Sequence, residues 1–175
     1  PRPGGWKQFE RLSIALMSCV FGSRFDQYGR EGQRQDGVDL YCRLKDGSII
    51  AVQCKGRNGN LGKKLTLAQV DKAVLETDSF LVKIDRLFIL TTSPHDAALT
   101  KRALELTEQR ALAGKGSVEV WGWESVENII RENASLQDSF YSEYKAKISL
   151  RGWILRASLA SCLAIACFVG VHRYL

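Results

Sequence analysis

Apolar residues recur at Trp6, Phe9, Leu12, Leu16 and Val20, the spacing of a helix with one buried face, and Gly22 predicts its stop. Residues 25–28 have room for a short strand, and 29–37 form a polar, glycine-rich loop. Over 38–44 and 49–54 the pattern changes to strand-like runs, with Lys45-Asp46-Gly47-Ser48 between them as a hairpin turn. The pattern also predicts the register. A three-residue loop with Gly47 in the left-handed position sets Leu44 opposite Ser48, Cys42 opposite Ile50 and Leu40 opposite Val52. Those apolar residues share one face. Asp39, opposite Gln53, shares the other with Tyr41, Ala51 and Lys55. A two-residue loop would slip the register and mix the faces.

Further on, 67–82 reads as a helix and the apolar run 86–90 as a buried strand. Ser93 and Pro94 predict the N-cap and first residue of a long helix ending at 112, before the glycines at 114 and 116. A strand over 117–121 and a short helix over 125–132 follow. This alternation predicts an α/β fold, a central mixed sheet flanked by helices. Residues 1–145 form the expected domain and 146–175 a C-terminal appendage. Its stretch 157–171 carries no charge, which predicts an apolar helix that either crosses a membrane or docks on a protein through residues 153–175.

Composition narrows the partners. A net charge of +6 fits a nucleic acid or another anionic surface. The five cysteines are odd in number, form no CxxC pair, and sit partly in apolar runs, the usage of a reducing cytosol. With only His95 and His172, a Cys/His zinc site has little material, and no P-loop is present. Trp121 and Trp123 read as packing residues, and His95 as part of a helix start.

The hairpin gathers the chemistry. Hydrolysis of a phosphodiester is helped by a divalent cation, and hard cations take oxygen ligands, carboxylates and carbonyls among them. Asp39 supplies a carboxylate, the Cys54 backbone carbonyl lies between Gln53 and Lys55, and a lysine there stabilises developing negative charge. The basic loop that follows, with Arg57, Lys63 and Lys64, suits phosphate contacts that read no bases.

Phe9-Glu10 in the first helix, DGVD over 36–39 and VQCK over 52–55 together resemble the PD-(D/E)xK nuclease superfamily. Glutamine in place of the usual acid is similar to its Mrr-like, QxK branch. The segments 88–96 and 118–130 resemble nuclease domains of bacterial antiphage systems, including the CBASS endonuclease effectors. The resemblance covers about residues 6–141. It implies a restriction-endonuclease-like core and a Mg²⁺- or Mn²⁺-dependent endonuclease of low sequence specificity acting on double-stranded DNA. It assigns Asp39 to the metal, Glu10 to the rest of the metal shell, Gln53 to the branch-specific position and Lys55 to catalysis, with Asp36 as the substitute carboxylate. Gln69 matches a helix glutamine of RecB-like relatives. A homo-oligomer, a sensor domain or protein, and a bacterial cytoplasmic setting with or without a membrane anchor are the expected context. The rival expectation is a nuclease-like module that binds DNA or a partner without cutting.

Overall fold

A computed structural model describes residues 3, 5–29, 33, 35–56 and 64–140. The chain divides into two units, Pro1–Asn133 and Ala134–Leu175. In the second, residues 134–140 are helical, and the apolar run 153–175 lies outside the described residues. Among the described residues no helix is long and apolar enough to cross a membrane.

The first unit is α/β. Helix α1 (Trp6–Phe21) precedes strands β1 (Asp26–Gln27), β2 (Leu40–Arg43) and β3 (Ile49–Lys55). Then follow α2 (Leu67–Thr77), β4 (Arg86–Thr91), α3 (Ala97–Leu112), β5 (Ser117–Trp121) and α4 (Trp123–Glu132). The strands form one mixed sheet in the order β1-β2-β3-β4-β5. The first three are antiparallel neighbours, while β3, β4 and β5 run parallel.

The hairpin has the register its alternation predicts, with Leu40 opposite Val52 and Cys42 opposite Ile50. Leu44 N–H donates to the Ser48 carbonyl at 2.9 Å, and Gly47 closes the turn at φ 89°. Side chains alternate across the pleat, so each strand serves two layers. Ile49, Ala51, Leu87 and Ile89 pack with Val70, Ala73 and Val74 of α2 and with Leu99, Ala103 and Leu106 of α3. On the opposite face Leu40, Ile50, Val52, Phe88 and Leu90 are buried. There Phe88 meets Phe21 of α1 edge-on at 5.6 Å, and Trp121 at 5.0 Å. Leu40, Ile50, Phe88 and Leu90, each fully buried, contribute about 1.5–3 kcal/mol apiece. The central strands are thus covered on both faces, including the Ala51 face of the hairpin.

Helix ends depart from the sequence expectation. The long helix begins at Ala97, capped by Asp96, whose carboxylate accepts from Ala98 N–H at 2.8 Å. Ser93 is unavailable as a cap because its hydroxyl accepts from Leu65 N–H at 3.0 Å and its carbonyl from Trp123 N–H at 2.8 Å. Helix α2 stops at Thr77 rather than 82. The chain turns there, so that the Phe80 ring meets Tyr28 at 4.9 Å and Leu81 is left exposed. Asp78 secures the stop. Arg110, buried near the end of α3, reaches its carboxylate at 2.7 Å, as does Lys115 at 2.7 Å. Burial alone would raise the Asp78 carboxyl, but the hydrogen bonds from Lys115 and Arg110 outweigh it and hold the group below its ordinary value. The last helix of this unit starts at Trp123, two residues before the expected 125, because Gly122 is pressed against His95 and Glu124 accepts from His95 N–H.

Candidate active site

The site lies where the carboxyl end of β3 passes the segment entering β2. That segment is a tight turn. Asp36 and Gly37 both take positive φ, 45° and 72°, and Val38 N–H closes the turn on the Gln35 carbonyl at 2.8 Å. Asp39 follows, its backbone held on both sides: Tyr28 N–H donates to its carbonyl at 2.7 Å, and its own N–H donates to Val52 at 2.9 Å. The Asp39 carboxylate then accepts from Cys54 N–H at 2.6 Å. A charge-assisted bond of that length ties the acid to the strand between Gln53 and Lys55.

The strand also fixes where its carbonyls point. Ile49 and Lys55 turn theirs toward β4, where they accept from Asp85 N–H at 2.9 Å and from the Thr91 hydroxyl at 2.9 Å. Successive residues alternate edges, and a strand residue presents N–H and C=O to the same neighbour. The Cys54 carbonyl therefore faces the β2 side, the edge where Asp39 takes the Cys54 N–H.

Asp39, Gln53 and Glu76 line a cleft of about 380 Å³ together with Gln33, Gln35, Asp36, Gly37 and Ser79. Lys55 lines a neighbouring cleft of about 310 Å³ with Trp6, Cys54, Gly56, Gln69, Lys72 and Glu76. Asp39 is pushed above its ordinary pKa, first by burial and also by the charge of Glu76; the Cys54 hydrogen bond and Lys55 work the other way. Gln53 is 5% exposed. Its amide donates to Glu76 at 3.4 Å, while its carbonyl oxygen is buried with no hydrogen-bond partner among the described residues.

The predicted residues are not all on one side. Glu10 is buried on α1; burial chiefly, then the charge of Asp39 and to a smaller extent that of Glu10, push the Cys54 thiol up. Gln69 lines the lysine cleft, but its side-chain oxygen accepts from Thr66 N–H at 3.2 Å in a capping box. Lys64 is exposed, and Arg57 and Lys63 lie outside the described residues. Sequence reasoning missed Glu76. Its signal was a polar stripe, Gln69, Lys72 and Glu76, running beside the buried stripe Val70, Ala73, Val74 and Thr77 on α2.

The oxygen chemistry fits a hard cation: two carboxylates, an unsatisfied amide oxygen and a backbone carbonyl. Among the described residues no three His, Cys, Asp or Glu side chains converge on one point. A cation here would therefore rely on carbonyl oxygens and retained water, as Mg²⁺ commonly does. The orphaned oxygen has a stability consequence. A buried unsatisfied acceptor costs about 1–3 kcal/mol, so Gln53→Met, similar in volume and apolar, should stabilise the metal-free protein by about 1 kcal/mol. Urea unfolding checks this; a destabilised Gln53→Met protein would mean the amide is satisfied in solution. Compared with known proteins, the chain matches no protein-family model and no curated protein.

Proposed function

We propose that this chain is a restriction-endonuclease-like, Mg²⁺-dependent endonuclease that hydrolyses DNA phosphodiester bonds with little sequence specificity. One observation carries the reading: the Asp39 carboxylate is bonded at 2.6 Å to the strand amide between Gln53 and Lys55, at the carboxyl end of a parallel strand. Crevices at such strand ends are where open α/β sheets bind ligands. Asp39 and the Cys54 carbonyl would hold the cation, which when bound neutralises charge developing on the phosphate and lowers the pKa of water. Lys55, whose backbone is fixed through its carbonyl by Thr91, sets an ammonium beside the scissile phosphate and stabilises the pentavalent transition state. Gln53 orients water or a phosphate oxygen. Lys72, 74% exposed in the same cleft as Lys55 and ion-paired with Glu76 at 3.7 Å, exchanges that partner for a phosphate of the nucleic-acid backbone.

The PD-(D/E)xK resemblance and the net charge of +6 support this reading, and the resemblance alone extends it to an antiphage effector acting as a homo-oligomer under a sensor's control. One observation favours the rival, a module that binds DNA or a partner without cutting: β3 carries an amide, Gln53, where the motif has an acid. Supercoiled plasmid incubated with Mg²⁺ or Mn²⁺ separates the two. Nicked and linear products that disappear with a chelator support the endonuclease, and a gel shift without cleavage supports the binding module.

A further inference from the structure

We propose that Glu76 of α2, not Glu10 of α1, supplies the second carboxylate of the cation site, in place of the acid missing from β3. This deepens the nuclease reading and rests on it. Alternation along β3 puts Gln53 on the α2 side of the sheet, with Ile49 and Ala51. The next residue, Cys54, turns its side chain to the α1 side, where Glu10 acts on it. Asp39, Gln53 and Glu76 line one cleft, and Glu10 does not border it.

One feature points to a ligand, and a second brings the elements that carry the two acids together. The Gln53 side chain, 5% exposed, leaves its carbonyl oxygen without a partner, beside a carboxylate that its own amide group touches at 3.4 Å. The amide orientation is dictated, because turning the carbonyl toward Glu76 would set two acceptors against each other. In addition, Gly37 brings the turn before Asp39 directly onto Glu76. A Cβ at Gly37 would lie 2.7 Å from the Glu76 Cβ. The loop holding the first acid and the helix holding the second are thus in contact. Asp39, Glu76 and the Gln53 carbonyl form an all-oxygen set with two negative charges, the composition that favours Mg²⁺ or Mn²⁺ over softer metals. Glutamine on the strand is then no loss of charge: the acid has moved to the facing helix, and the amide bridges it to the strand.

The test is Mn²⁺ binding to the full chain by titration calorimetry, for wild type, Glu76→Gln and Glu10→Gln. The Glu76 side chain is 38% exposed and glutamine is isosteric, so folding is not at stake; the metal-free melting midpoint checks that. The expected result is a loss of Mn²⁺ affinity of at least about tenfold in Glu76→Gln and a smaller loss in Glu10→Gln. Unchanged affinity in Glu76→Gln, or a larger loss in Glu10→Gln, would overturn this assignment and leave the nuclease reading standing. A wild-type chain that binds no Mn²⁺ would sink the nuclease reading, and this inference with it.

Discussion

Lys55→Ala and Asp39→Asn should each lower plasmid cleavage by at least about 10²–10³-fold, the usual loss when one group stabilising a transition-state charge is removed. The stability of Asp39→Asn separates chemistry from folding. The folded pKa of Asp39 is raised above its unfolded value, chiefly by burial. Its contribution to stability is therefore complete below the unfolded pKa and declines as pH climbs from there through the folded pKa. Above the unfolded pKa, burying this carboxyl is a net cost. Asparagine removes that cost and can still accept from Cys54 N–H, so Asp39→Asn should be at least as stable as wild type at pH 7 and should lose its advantage in acid. Urea midpoints at pH 7 and at pH 3 read the difference. A folded Asp39→Asn variant that keeps cleaving would remove Asp39 from the chemistry, and one that is less stable than wild type at pH 7 would contradict the cost of burying the carboxyl.

Gly37→Ala should be the most damaging single-methyl change near the site, with an expected loss of about 2–4 kcal/mol. Two effects add. Gly37 takes φ 72°, where a Cβ is strained, and that Cβ would lie 2.7 Å from the Glu76 Cβ and 3.1 Å from the Thr77 amide nitrogen. Neither neighbour yields easily, because both belong to the last turn of α2, whose end is anchored by Asp78 on Arg110. Gly47→Ala is the control: φ is 89° but nothing lies within 4 Å of its added Cβ, so only the conformational part of the loss should remain. Equal destabilisation of the two variants would show that the turn does not press on the helix. Because the strain falls on Glu76, Mn²⁺ affinity should fall in Gly37→Ala and stay unchanged in Gly47→Ala.

The hairpin was legible in the sequence because two local signals agree. Alternation assigns the faces and Gly47 fixes the loop length, so the pairing of Leu40 with Val52 follows without any distant contact. The α/β layering was legible for a similar reason, through apolar runs in β3 and β4 separated by helical stretches. Helix ends were not. Ser93 and Asp96 are both competent caps three residues apart, and the choice falls to Asp96 because Leu65, far away in the chain, occupies the Ser93 hydroxyl. The end of α2 depends likewise on Tyr28 and Arg110. Glu76 was hidden because a helix residue at the margin of the buried stripe meets the sheet only when the crossover settles which margin faces β3. Glu10 was recognisable by its place in the first helix, but nothing local revealed that it would sit behind Cys54.

The short span between Asp39 and Lys55 has a consequence in time. A hairpin of this kind closes in about 1–10 μs, whereas parallel pairing waits for a crossover and is slower. Asp39 and Lys55 are joined by such a hairpin, while α2 is the crossover between β3 and its parallel neighbour β4. During refolding the lysine and first acid should therefore meet before Glu76 arrives. Pulse-labelled hydrogen exchange would show this as protection of the Cys54 amide ahead of the amides of α2, and simultaneous protection would contradict it. A chain still emerging from the ribosome would then carry a half-built cleft, with its lysine in place and its full negative charge still to come.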